Sequence, residues 1–337
     1  MSPAIAAERT SFNVAWSIYV GWMPWDYADR SGILRKWGDK YGIKIKLTQV
    51  NEYVESINQY TAGTFDACAM TNMDMLTIPS AGGVDSTALI VGDFSNGNDG
   101  VVLKGKGKAL GDIKGQKVNL VELSVSHYLL ARALSSVGLR ERDLKVINTS
   151  DADIVAAFGA PATTAVVTWK PQLSAVISQP NAQLVFDSSK IPGEILDLMV
   201  VKTDVLNTNP KLAKALVGAW YETLAVMFGN DAAARSAQAA MAKASGTDLA
   251  GFGLQLATTH MFALPADAYA FVTSDAVIKS MDLVRKFSFE HGILGQQASS
   301  MDAIGIQFPA GKSLGDNGNL KMRFDSSFAK LAMDGKL

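Results

Sequence analysis

One cysteine, three histidines and a formal net charge of −1 are all that 337 residues offer for thiol, imidazole and long-range electrostatic chemistry. The lone Cys68 excludes an internal disulfide and any zinc site built from several cysteines. It lies in the apolar run 67–70, where it reads as a small buried hydrophobe rather than a reactive thiol. His127, His260 and His291 show no metal-ligand spacing with one another, and no Gly-x-Ser-x-Gly elbow occurs. Balanced charge removes the electrostatic case for nucleic acid or an anionic membrane surface. No stretch of about 18 residues is apolar enough to read as a membrane span. Even the quiet, alanine-rich stretch 231–244 carries Arg235 and Lys243.

Nucleotide loops are missing too. Gly311-Lys312-Ser313 resembles the end of a phosphate loop, but the upstream glycine position holds Ile306. Gly105-Lys106-Gly107 lacks the third glycine of a dinucleotide fingerprint. No cofactor is expected. The first seven residues carry neither a basic region nor an apolar segment, yet Ala4-Ile5-Ala6 looks like the small-residue end of a trimmed signal peptide. That reading points to export.

What is present is an alternation of strand-like and helix-like runs. Residues 13–20 read as a buried strand. Residues 29–41 place Ile33, Leu34, Trp37 and Tyr41 on one helical stripe. Residues 43–50 alternate as a half-buried strand, and 52–61 read as a helix that Gly63 ends. Strands follow at 66–70, 87–91 and 100–104. The β–α pattern restarts after the glycine- and lysine-rich segment 105–115, through strands at 117–121, 144–147, 164–168, 183–186 and 198–202. From Asn209-Pro210 the chain reads as almost entirely helical, with Asn209 as N-cap and a core stripe of Leu212, Leu216, Trp220, Leu224 and Met227. The pattern predicts an α/β protein of two lobes: 11–103 plus 204–337, and 104–203 inserted between them. Two crossing segments then form a hinge over a common cleft.

Aromatic and acidic residues cluster just past the ends of these strands, where ligands bind in open α/β sheets. Trp22, Trp25, Asp26 and Tyr27 follow the first run, and Pro24 and Asp26 suit a pocket wall better than a buried strand. Asp74 caps a helix or faces the cleft. Glu122 ends a buried run beside Ser124 and needs either a ligand or a basic partner. Trp169 projects from another strand end, and Glu194 and Asp197 precede the strand at 198–202. His127 is a helix-entrance residue, a ligand contact or a catalytic base.

The order of these features resembles the substrate-binding proteins of nitrate/sulfonate/taurine-type ABC transporters. The resemblance is carried by the helix and Thr-Ala-Gly-Thr-Phe-Asp of 56–66, by Ala-Met-Thr-Asn-Met-Asp of 69–74, and by Ser-Val-Ser-His-Tyr-Leu-Leu-Ala-Arg-Ala-Leu of 124–134. Residues 153–171 and the Asn209-Pro210 helix fit as well, so it covers about 12–227. Within the family, 14–25 and 51–74 look most like the branch associated with urea carboxylase gene clusters, whose cargo is urea or guanidinium. The related pyrimidine-precursor synthases carry a cysteine-rich motif that one cysteine cannot supply.

The resemblance implies a type II periplasmic binding protein fold and a monomeric periplasmic receptor that hands a small solute to an ABC permease. Family members that bind oxyanions need donors or positive charge, whereas these strand ends offer acids and indoles. The expected ligand is therefore guanidinium, a flat cation whose N–H groups carboxylates accept in bidentate pairs and whose face an indole can cover. The expected site comprises Trp22, Trp25, Asp26, Tyr53, Asp74, Glu122, Ser124, Trp169, Glu194 and Asp197. Glu122 with Asp74 or Asp197 supply the acceptors, the three tryptophans the walls, and Tyr53 and Ser124 secondary hydrogen bonds. The alternatives are a receptor for urea or another small amide or amine, an enzyme on such a compound using His127 and Glu122, and a cytosolic sensor of the same shape.

Overall fold

The computed structural model describes residues 9–295 and 298–337. The small-residue segment Ala4-Ile5-Ala6 lies outside the described residues. Two mixed sheets organise the chain, nine-stranded and five-stranded among the described residues. In the larger, Ser11–Trp16 lies between the parallel neighbours Lys44–Gln49 and Ala67–Thr71. Leu196–Lys202 then runs antiparallel between Ala67–Thr71 and Ser86–Ser95. In the smaller, Lys117–Leu120 lies parallel to Lys145–Asn148 and Ala165–Trp169, while Asp99–Lys104 runs antiparallel between Ala165–Trp169 and Ala182–Asp187.

Two mixed sheets with helices packed on them are the α/β architecture expected of the chain. The sheets exchange strands earlier than the expected boundaries at 104 and 203. Ser86–Ser95 belongs to the larger sheet and Asp99–Lys104 to the smaller, so the first crossing is the short turn 96–98. The return crossing is 188–195, because Leu196–Lys202 is already in the larger sheet. The glycine- and lysine-rich segment 105–115 is a loop with a 3-10 turn at Leu110–Ile113 inside the second half. Both crossings thus carry their acids, Asp93, Asp99 and Asp197, to the seam between the sheets.

Local elements follow from side-chain periodicity. The helix Pro210–Met227 buries its whole expected stripe, Leu212 through Met227, against the larger sheet's helices. Asn209 takes the N-cap position, but its side chain makes no capping bond, and Pro210 supplies a first turn that needs no donor. Residues 22–27, expected as a loop, form a 3-10 turn Val20–Trp22 running into the helix Met23–Arg30. Pro24 is tolerated because it sits in the first turn, where its missing N–H has no helical partner to lose. The region after 209 is less helical than its composition implies. Short strands Thr259–Met261, Gly305–Gln307 and Leu320–Phe324 extend the larger sheet. Gly305 allows this, because a Cβ there would lie 2.2 Å from the Asp316 carbonyl. No helix of the described residues is long and apolar enough to cross a membrane.

Candidate functional site: an aromatic and acidic cavity between the sheets

A small cavity opens where the two sheets meet, with about 20 Å³ accessible to the centre of a water-sized sphere. That is enough for about one water molecule, so the walls must move apart to admit even a solute of a few heavy atoms. Four rings form a connected wall: Tyr19 meets Trp22 edge-on at 5.1 Å, Trp22 lies 5.7 Å from Tyr53, and Tyr53 meets Trp169 edge-on at 5.7 Å. Tyr19, Trp22 and Tyr53 come from the larger sheet's connections and Trp169 from a strand end of the smaller sheet. Closing the cavity therefore requires both halves.

Carboxyls complete it. Asp99 and Asp197 line the cavity, Asp99 from the smaller sheet and Asp197 from the larger. Asp99 stands opposite Trp169 in the register of adjacent strands, so one pair of neighbours delivers an acid and an indole together. Asp197 stands opposite Asp93. Behind the phenols, Tyr19 donates to Asp93 Oδ1 at 3.1 Å and Tyr53 donates to Asp74 Oδ2 at 2.6 Å. Thr71 also donates to Asp74 Oδ2, at 2.8 Å. Gly21 makes room for this packing, since a Cβ there would meet Asp93 Oδ2 at 2.3 Å and the Tyr19 ring at 2.5 Å.

Four carboxyls, Asp74, Asp93, Asp99 and Asp197, are thus buried around one small space, and no arginine or lysine among the described residues lines it. Burial pushes Asp74 and Asp99 up to about 6, against the hydrogen bonds from Tyr53 and Thr71 in one case and Ser95 in the other. Burial also raises Asp93 and Asp197; the charge of Asp93 raises Asp197 further, while hydrogen bonds from Asp197 and Tyr19 hold Asp93 back, so the pair shares a proton into the neutral range. Asp74 Oδ1, Asp93 Oδ2 and the indole Nε1 of Trp22 are buried with no hydrogen-bond partner. Buried polar atoms are rarely left so.

The expected site residues divide. Trp22, Tyr53, Trp169 and Asp197 come together on the cavity wall, with Asp74 directly behind Tyr53. Trp25 faces the core, with its ring 4.9 Å from that of Trp220. Asp26 pairs with Arg30 at 2.7 Å, one helical turn on. Glu194 is held by Arg132 at 2.7 and 2.9 Å and by the Tyr128 hydroxyl at 2.6 Å. Ser124 caps the helix Val125–Ser136, accepting from the Ser126 N–H. Glu122 is exposed and lines a separate open groove with Ser124 and Asp74.

Sequence reasoning passed over Tyr19, Asp93 and Asp99. The signal was there: Asp93 and Asp99 are acids flanking a Ser-Asn-Gly-Asn turn inside an otherwise apolar stretch, 86–104. Ending the strand at 91 concealed it.

His127, Glu141 and His291 hold ligand atoms within 4.8 Å of one another, a group that invites a metal reading. The hydrogen bonding opposes that reading. His127 Nδ1 accepts from the Leu123 N–H at 3.0 Å, which leaves the ring's proton on Nε2, the atom a metal would need bare. The same contacts occupy His127, which faces Glu141 rather than Glu122.

Comparison with known proteins agrees with the fold. A model of the NMT1-like family matches residues 15–243, and the chain belongs to that family. An Escherichia coli K12 protein named for binding aliphatic sulfonates is 34% identical over 84 residues, 25% of this chain and 26% of that protein. Several Brucella binding proteins match at 23% over 42% of this chain and 44% of their own length, so the chain matches less than half of these relatives. The periplasmic aliphatic sulphonate binding protein SsuA of E. coli superposes with a TM-score of 0.69 at 18% identity, covering 85% of this chain and 94% of that one. The periplasmic nitrate-binding protein NrtA of Synechocystis PCC 6803 does so at 0.60 and 13%, covering 98% and 99%. These relatives and structural neighbours are binding proteins rather than enzymes.

Proposed function

We propose that the chain is the periplasmic receptor of an ABC importer and captures a small nitrogen-rich cation, guanidinium, between its two halves. The observation that carries this reading is an aromatic-walled cavity lined by two buried carboxyls, Asp99 and Asp197, backed by the buried Asp93 and Asp74 behind the phenols, with no lysine or arginine among the described residues in its lining. A buried carboxylate without a compensating charge costs several kcal/mol, and a cationic solute supplies that charge. Asp99 takes the acceptor role that the sequence suggested for Glu122, beside Asp197, which the sequence already offered. They belong to different sheets, so each half alone offers an incomplete set of acceptors and binding favours closure. Trp22 and Trp169 supply ring faces, worth on the order of 2 kcal/mol to a desolvated cation. The small cavity suits guanidinium better than an extended sulfonate.

Urea is the second reading, and one observation favours it. A proton retained by the Asp93–Asp197 pair lets that pair donate to a urea carbonyl. Calorimetry at pH 8 separates the two, because ionised acids favour the cation. Guanidinium is expected to bind at least 100-fold more tightly than urea, about the 2.7 kcal/mol that one charge-assisted contact can supply. Equal affinities would remove the cationic site. Delivery to a membrane permease is tested by solute uptake in cells with and without the intact chain.

A further inference from the structure

Glu141 lies in the turn Glu141–Asp143 of the smaller sheet's half, and His291 follows the helix Asp275–Glu290, which packs on the larger sheet's half through Ser280 and Met281 to Asn72. His291 Nε2 sits 2.7 Å from Glu141 Oε1, and its Nδ1 sits 2.8 Å from the Phe287 carbonyl. Carbonyl and carboxylate oxygens only accept, so both ring nitrogens must donate, and a ring that donates twice is an imidazolium. From the smaller sheet's half, His127 Nε2 comes within 2.8 Å of the same Glu141 oxygen, though out of line for a good hydrogen bond. Phe287 stacks on His291 at 4.0 Å and meets His127 edge-on at 5.9 Å, shielding the group from one side.

We propose that His291 and Glu141 form a proton-operated latch across the two halves: protonated, the imidazole completes an ion pair that holds them closed, and deprotonated, it lets them part. The charges around the latch have mixed signs. Glu290, on the His291 helix, favours the imidazolium. Lys286 on that helix, and Arg140 and Arg142 beside Glu141, line the same groove and oppose it. Arg132 and Tyr128, on the His127 helix, are already committed to Glu194. Burial lowers the His291 pKa, but the bonds to Glu141 and Phe287 outweigh it and the net shift is upward. Burial raises Glu141, and the two imidazoles override it and bring it down to about 2. A group with a raised pKa contributes fully below its ordinary value, about 6.5 for histidine, and its contribution is lost as pH rises through the raised one. On the acid side, the Glu141 contribution is present above about 4.3 and is lost as pH falls towards its lowered value.

The test uses ligand-free protein, so it is independent of which solute the cavity takes. Histidine imidazole shifts are followed by NMR, and the radius of gyration by small-angle scattering, from pH 5.5 to 9. Wild type is expected to be compact at pH 5.5 and to expand with a midpoint that coincides with the His291 titration, above 6.5. Each pH unit by which closure raises that titration makes a tenfold difference in the closed-to-open ratio. His291→Asn and Glu141→Gln should each give a radius that does not change with pH and matches wild type at pH 9. Identical wild-type radii across the range, a His291 titration at or below 6.5, or variants that track wild type would each overturn the latch. So would loss of the pH dependence in excess EDTA, which would assign the group to a metal.

Discussion

Asp93 and Asp197 face one another across neighbouring antiparallel strands of the larger sheet, both buried, with the Tyr19 hydroxyl donating to Asp93. Two carboxyls so placed cannot both ionise without a counter-charge, and the strand register shifts immediately beside them, between Asp197 and Leu198.

Neutralising one member of this pair should separate binding from stability. Asp197→Asn removes a carboxyl that burial, and then the charge of Asp93, hold far above its ordinary range, and it keeps the side-chain volume, so the ligand-free protein should gain about 1 to 3 kcal/mol. Guanidinium affinity should fall roughly 30- to 1000-fold, because an acceptor of a charge-assisted contact is lost. Calorimetry and thermal melts read the two effects on one sample. A variant that binds as wild type does would remove Asp197 from the site.

Stability and binding should respond to pH in opposite directions. Asp74 and Asp99 are raised to about 6 by burial. Between the ordinary aspartate value, about 3.9, and pH 6, the folded state therefore binds more protons than the unfolded one, and stability falls as pH rises through that window. A bound cation favours the ionised acids, so affinity rises over the same window and levels off above it. Melting the protein from pH 4.5 to 8, with and without guanidinium, should give a falling ligand-free curve and a widening gap. A gap that narrows with pH would count against a cationic ligand.

Replacing Trp169 tests the aromatic wall. Its ring meets Tyr53 edge-on and its strand partner is Asp99, so Trp169→Leu removes the π face while keeping apolar bulk. Loss of cation–π attraction of about 2 kcal/mol corresponds to roughly 30-fold weaker binding. Tetramethylammonium-like or alkylated cations should not bind wild type, because the cavity is too small. If Trp169→Leu binds guanidinium undiminished, the ring is packing only.

The fold was largely legible because its signals are local. Periodicity located the stripe from Leu212 to Met227, and the apolar run located a strand at 66–70 that the structure places at Ala67–Thr71. The site was legible in kind but not in all its members. Trp22, Tyr53 and Trp169 end or follow a strand and Asp197 opens the antiparallel strand Leu196–Lys202, so all four reach the same seam. Trp25 was misjudged because three residues of helix turn it away from Trp22, a rotation that a loop reading does not contain. Glu194 looked like a free acid because Arg132, 62 residues away in sequence, could not be seen as its partner. Asp93 and Asp99 were overlooked for a related reason, since the strand that carries one and the strand that carries the other belong to different sheets.

Glu122 and Asp99 offer the sharpest contrast between the two levels of reading. Sequence position favoured Glu122, whereas it is exposed and only its backbone N–H is held, by Asn148 Oδ1 at 3.0 Å. Asp99 is buried on the cavity wall and accepts from Ser95 Oγ at 2.5 Å. Glu122→Gln should leave affinity within about twofold and the melting temperature nearly unchanged, as expected of an exposed side chain. Asp99→Asn should weaken guanidinium binding by at least 30-fold, since a desolvated charge pair is lost. Measured side by side, the reverse pattern would move the site from the cavity to the open groove, where Glu122 and Ser124 lie beside Asp74.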